Sequence, residues 1–358
     1  MNYAATGHRI IREREPLNLE FPFEELDSYL TPNHQFYIRG HFPIPEVDRQ
    51  SFRLRVEGAV ERTLTLSTAD LEAMEQETRV ATLECAGNSR IFLVPAAEGA
   101  QWQQGAVSTA EWMGVPLARV LEKAGLKADA LQVIFEGADV GKPKEKPIPP
   151  EPMPYARAIE LDKVPDVLLA LRMNGEPLPL ENGAPVRAIV GGFYGMASVK
   201  WLCSIRVVTE PFQGYFHTSD YAYWDDLDGN PVRRSLGPMA LKSAISRPFF
   251  REQVPAGQPY VIRGAAWTGG APLDRVEVSC DGGSSWNQAE FIDEATPHAW
   301  RRWQLSWTPE SEGCCSLLAR AIDTEGKCQA TEHDKKFGTY VIDHSVKIEV
   351  EVVSALLV

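Results

Sequence analysis

The texture of the chain changes near Pro238, and no other feature constrains the fold as much. Beyond that point, short strand-like runs (Tyr260–Gly264, Arg275–Ser279, Trp300–Trp307, Ser316–Ile322 and Val346–Val353) are separated by turns such as Thr268-Gly269-Gly270 and Asp281-Gly282-Gly283. Strands at that spacing predict an all-β sandwich. From Phe36 to about Thr209, apolar runs instead alternate with helical patches. Ser67 or Thr68 can cap a helix through Leu71 and Met74, and Pro116 opens another whose Leu117, Val120, Leu121 and Ala124 share a face before Gly125. Strands are expected at Phe52–Val56, Leu131–Phe135, Val167–Leu171 and Val186–Val190, and Lys142–Pro154 reads as an extended surface loop. The fold class is therefore α+β: a mixed α/β domain over residues 1–240, then a sandwich over 241–358. A chain of 358 residues accommodates two such cores.

A net charge of −13, with 36 Lys+Arg against 49 Asp+Glu, excludes a general affinity for nucleic acid or acidic lipid. An anionic small molecule would need a local arginine cluster. No apolar stretch reaches the length of a membrane span. Met1 to Glu20 carries Arg9, Arg12 and Arg14 without an apolar core after them, so the expectation is a cytoplasmic protein, or a periplasmic one if an export signal has been removed.

Six cysteines show no C-x-x-C spacing, which removes zinc ribbons, thioredoxin-like pairs and attached haem. Cys314, Cys315 and Cys328 are expected to be small buried hydrophobes. Cys85 differs. In Thr82-Leu83-Glu84-Cys85-Ala86-Gly87-Asn88-Ser89-Arg90 it follows a strand-like stretch and opens a Gly/Asn turn, with an arginine five residues on. A thiolate is a soft, strong metal donor, and a guanidinium suits a small oxyanion; the plainer alternative is an inert buried thiol.

This loop resembles the cysteine loop of the sulfite oxidase family of molybdenum enzymes. The resemblance extends through Arg39-Gly40-His41-Phe42-Pro43-Ile44-Pro45, Gly105-Ala106-Val107-Ser108-Thr109-Ala110, Phe135-Glu136-Gly137-Ala138-Asp139, Pro185-Val186-Arg187 and Ser198-Val199-Lys200-Trp201, in the family's order. It implies a molybdenum ion held by Cys85 as the only protein ligand, on a molybdopterin cofactor. It further implies that Arg39, Arg90, Tyr221 and Trp102 line the reaction site. Tyr37, Arg39, His41, Asp139, Asn182, Arg187, Ser198 and Lys200 would hold the cofactor, Arg187 and Lys200 at its phosphate. An immunoglobulin-like domain that mediates homodimerisation is implied for the second half, where Ala266-Trp267-Thr268-Gly269-Gly270 carries the likeness.

The sequence departs from that pattern at several points. Asn182 replaces a histidine, Ser89 stands where many relatives have a second arginine, and Ala197 replaces a basic residue. The tail Phe337-Gly338-Thr339-Tyr340 lacks an Asn-Leu-Arg-Gly stretch that supplies a pocket arginine in animal and plant sulfite oxidases. The implied activity is oxygen-atom transfer at sulfur, sulfite to sulfate, with electrons passed to an external acceptor. The less positive pocket favours as alternatives an S-oxide reductase or an oxidase of another sulfur compound. Tyr221 argues against a nitrate reductase, and a catalytically inactive binding module is the alternative from another class.

Overall fold

The computed structural model describes residues 9–144 and 148–354. Residues 1–8, part of the segment searched for an export signal, and residues 145–147 of the proline-rich segment lie outside the described residues.

The first half is built on two five-stranded sheets. In one, Val167–Met173 pairs antiparallel with Val107–Pro116 and with Arg187–Val190, and Val107–Pro116 pairs in turn with Glu77–Glu84. In the other, Leu202–Val208 lies parallel to Leu54–Gly58 and antiparallel to Gln132–Gly141, which continues to Met153–Glu160. Val107–Pro116 has eight buried positions out of ten and so shows little of the alternation that marks a half-exposed strand. The expected extended loop is correspondingly shorter, because Met153 and Pro154 already belong to a strand.

Both expected helices form, the first ending at Glu72 and so leaving out Met74. Thr68–Glu72 starts from Ser67 in a capping box, the Ser67 hydroxyl accepting from the Asp70 amide at 3.1 Å and the Asp70 carboxylate from the Ser67 amide at 2.8 Å. Leu117–Ala124 buries Leu117, Val120, Leu121 and Ala124 and ends at Gly125, whose φ of 74° needs a residue without a Cβ.

The second half is the expected sandwich. Lys242–Arg247, Tyr260–Trp267, Arg301–Trp307 and Glu290–Phe291 form one sheet; Gln253–Pro255, Ile348–Val353, Gly313–Asp323, Leu273–Ser279 and Asn287–Gln288 form the other. Ile262 and Trp303 of the first meet Val276, Leu317 and Val350 of the second in a core drawn wholly from residues beyond Met239. Trp267, Trp300, Tyr340 and Val341 pack instead into the larger core of the first half. The cysteine expectation needs correction: Cys314 and Cys328 are exposed and Cys315 is half-buried, because Cys314 begins at the open end of its strand and Cys328 lies beyond the strand's last residue.

Candidate active site

The strand Glu77–Glu84 releases the chain at Cys85, whose amide donates to the Ala106 carbonyl at 2.8 Å and whose carbonyl accepts from the Asn88 amide at 2.9 Å. Ser89 closes the turn with a φ of 75°. Asn88 is locked by its side chain, which accepts from the Ala106 amide at 3.0 Å and donates to Glu84 at 3.0 Å. Arg90 then turns back under the loop, its Nε donating to the Thr339 carbonyl at 3.1 Å and a terminal nitrogen to the Ala100 carbonyl at 3.0 Å. A Cβ on Gly87 would lie 2.3 Å from this guanidinium and one on Gly99 2.6 Å from it, so both glycines make room for the charge.

Two cavities meet at Cys85. The inner one is lined by Tyr37, Asp139, Glu181, Arg187, Ser198 and Lys200. The outer one is lined by Arg90, Asp220 and Tyr340. Arg39, His41, Cys85 and Tyr221 line both. Among the described residues of the outer cavity, Arg39, Arg90 and Lys144 face Glu13, Glu98 and Asp220, so formal charges cancel there.

The inner cavity is different in kind. Arg187 donates to the Ser198 carbonyl at 3.2 Å and to the Asn182 carbonyl at 3.1 Å, and Lys200 donates to the Glu181 carbonyl at 3.2 Å. Burial pulls Arg187 down to about 10, and burial together with Arg187 pulls Lys200 down to about 7. Asp139 is pushed by its own burial up to about 6, with Lys200 opposing the shift. His41 is held well below the ordinary imidazole value by burial and by Arg39, Lys200 and Arg157, so it is neutral. Its Nε2 lies 2.6 Å from the Tyr221 hydroxyl. Burial opposes the charge on Arg39, but Tyr221 and Cys85 facing it raise its pKa above the ordinary arginine value.

The structure thus brings together Tyr37, Arg39, His41, Cys85, Asp139, Arg187, Ser198, Lys200 and Tyr221, with Arg90 on the outer side. Asn182 is fully buried against Arg187, and neither of its amide atoms has a partner. Trp102 is not brought to either cavity: it lies in the core, fully buried, behind the loop that carries Arg90. Three neighbours escaped the sequence. Tyr155 stacks on His41 at 4.4 Å; buried Arg157 donates to the carbonyls of Phe216 and Leu236, which flank the segment holding Tyr221; and Tyr340 arrives from the end of the second half. Only Tyr340 had a signal, since its tail already stood out as lacking an arginine.

Comparison with known proteins decides the affiliation. Residues 41–216 match the oxidoreductase molybdopterin binding domain and residues 233–350 the Mo-co oxidoreductase dimerisation domain. The sequence is 32% identical over 349 residues to the sulfite oxidase of Arabidopsis thaliana, across 89% of this chain and 87% of that protein. The chain belongs to the sulfite oxidase family. It is 38% identical over 334 residues to the mitochondrial sulfite oxidase of Rattus norvegicus, across 87% of this chain and 60% of the rat protein; it spans well under two thirds of that relative's length. The sulfane dehydrogenase SoxCD from Paracoccus pantotrophus superposes with a TM-score of 0.83 at 28% identity, across 95% of this chain and 87% of that one. As a family member it is an oxidoreductase dependent on molybdenum and molybdopterin.

The inner cavity fits that cofactor on its own chemistry. Arg187 is buried there and Arg39 and Lys200 are half-buried, and their hydrogen bonds go to carbonyls and one amide rather than to carboxylates. These three cations face two carboxylates in the lining, Asp139 and Glu181, and the positive charge left over calls for an anionic ligand, which a cofactor phosphate supplies. The unpartnered amide of Asn182 is a further unused donor and acceptor beside Arg187. Among the described residues no group of three or more His, Cys, Asp or Glu could hold a metal, so a metal at Cys85 would need further donors from a bound cofactor.

Proposed function

We propose that this protein oxidises sulfur by oxygen-atom transfer, with sulfite to sulfate as the reference reaction and the two electrons passed to an external acceptor. The observation that carries the reading is the placement of Cys85 between an inner cavity with an excess of cations and an outer one of balanced charge, with Arg39, His41 and Tyr221 shared by both. When bound, the cofactor supplies a two-electron redox centre that exchanges oxygen atoms with water and substrate. The chain supplies the rest. Cys85 ligates the metal; Arg187, Lys200, Asn182 and Ser198 hold the phosphate end, and Tyr37, His41 and Asp139 the ring system. Arg39 and Arg90 attract the substrate's oxygens, their guanidinium N–H groups being suited to a planar pair of acceptors. Tyr221, kept protonated far above neutral pH by burial, donates a hydrogen bond that orients the substrate.

Residues 233–350 are read as the seat of a homodimer, for which light scattering of the full chain is the test. The cytoplasm is the proposed compartment.

A second reading, oxidation of another sulfur compound, is favoured by the cancelled charges of the outer cavity and by the likeness to a sulfane dehydrogenase. Steady-state assays of metal-loaded protein with sulfite, thiosulfate and methionine sulfoxide separate these readings. Elemental analysis that finds no molybdenum in the protein would favour the inactive binding module instead.

A further inference from the structure

The outer cavity is more neutral and more aromatic than a bare inorganic oxyanion requires. Its three cationic residues are offset by three carboxylates, and Arg90 already spends N–H groups on the Thr339 and Ala100 carbonyls. Tyr340 sits at the centre of this arrangement. Its hydroxyl donates to the Asp220 carboxylate at 2.6 Å, its ring lies 4.9 Å from that of Tyr221, and the Arg90 guanidinium stands 5.3 Å over it. The amide of the next residue, Val341, donates to the Ala86 carbonyl at 2.8 Å, which pins the tail to the residue beside Cys85. Tyr215, Phe216 and Phe42 extend the wall, Phe216 contacting the other two rings at 5.0 and 5.7 Å.

A doubly charged trigonal oxyanion gains little from such a wall. A sulfinate keeps the pyramidal sulfur, its lone pair and two oxygens, but carries one charge and replaces the third oxygen with an organic group. The oxygens match the arginines and the organic group matches the rings.

Resting on the sulfur-oxidation reading above, we propose that Tyr340 is a specificity-determining residue that lets the outer cavity take an organic sulfinate, R–SO₂⁻, alongside sulfite. In the reaction R–SO₂⁻ and water give R–SO₃⁻, two protons and two electrons. One S–O bond forms with oxygen that derives from water, the C–S bond stays intact, and the electrons leave to the external one-electron acceptor.

The test uses the cofactor-loaded full chain. Calorimetric titration with the two products, benzenesulfonate and sulfate, is expected to show the sulfonate binding about tenfold tighter, the scale of one aromatic contact. Tyr340→Ala should erase that margin and Tyr340→Phe, which keeps the ring, should retain it. If Tyr340→Ala does not fold, Tyr340→Asn removes the ring while leaving a donor toward Asp220. Sulfate binding as tightly as benzenesulfonate, or a sulfonate preference that survives loss of the ring, would overturn the inference. With ferricyanide as acceptor, benzenesulfinate and sulfite should both turn over. Sulfite turned over with benzenesulfinate inert overturns the inference and leaves sulfur oxidation standing, whereas turnover of neither overturns both.

Discussion

Lys242, from the first strand of the sandwich, ends 3.0 Å from the carboxylate of Glu84, the residue immediately before Cys85. Both side chains are almost fully buried. The same ammonium reaches the Ser89 hydroxyl at 3.1 Å, and the other Glu84 oxygen accepts from the Trp267 indole at 2.8 Å. The second half of the chain therefore grips the cysteine loop at both ends. Ser89 is here the acceptor for a cation contributed by the sandwich.

That grip makes stability depend on a residue far from Cys85 in sequence. Lys242→Met should destabilise the protein by about 3–5 kcal/mol, because it strands a buried carboxylate. The double change Lys242→Met with Glu84→Gln should recover much of the loss, since the remaining groups are then neutral. Denaturant unfolding of the parent and the two variants measures both effects, and a Lys242→Met protein as stable as the parent would contradict the argument.

Arg90 and Tyr221 should separate binding from turnover. Arg90→Gln removes a charge-assisted contact worth about 1.5–3 kcal/mol and is expected to raise the KM for sulfite about tenfold or more. Tyr221→Phe keeps the ring and deletes one donor, so turnover should fall more than affinity. Steady-state kinetics of both variants decide it; if both were silent, these residues would not line the working pocket.

Much of this architecture was legible because it is local. The capping box at Ser67 and the glycine stop at Gly125 are written in neighbouring residues, and the sandwich strands in turn spacing. The site was legible through resemblance, which located nine residues that converge on the inner cavity. Two features were not. Val107–Pro116 hides its pattern by being buried on both faces, and Arg157 acts through carbonyls 59 and 79 residues away. Trp102 shows the converse: the resemblance implied a pocket position, but it is buried in the core and lines neither cavity.

Cys85→Ser should leave the fold intact while changing the metal's surroundings. The side chain is buried and nearly isosteric, and the loop is held by Asn88 and Glu84 rather than by the thiol. X-ray absorption at the molybdenum edge is expected to lose one sulfur neighbour. An unchanged spectrum in the variant would remove Cys85 from the coordination sphere.

Anion binding in the inner cavity should weaken as pH rises through neutrality. Lys200 is shifted down to about 7 by burial and Arg187, so it carries its charge below that value and loses it above. Asp139 is shifted up to about 6 by burial, so it gains a negative charge as pH passes that value. Both changes reduce attraction for an anion between pH 6 and 8. Sulfate is the suitable probe for cofactor-free protein because it stays fully ionised across this range, whereas phosphate changes charge itself. Its affinity, measured by calorimetry, should be highest at the acid end and fall steadily toward pH 8. Stability of the cofactor-free protein moves the other way for the lysine alone: unfolded Lys200 holds its proton to a higher pH than folded Lys200, so its penalty is full below about 7 and is relieved as pH climbs above. Lys200→Met should flatten most of the sulfate profile, leaving the smaller contribution of Asp139. A profile that stayed as steep in that variant would assign the titration to another group.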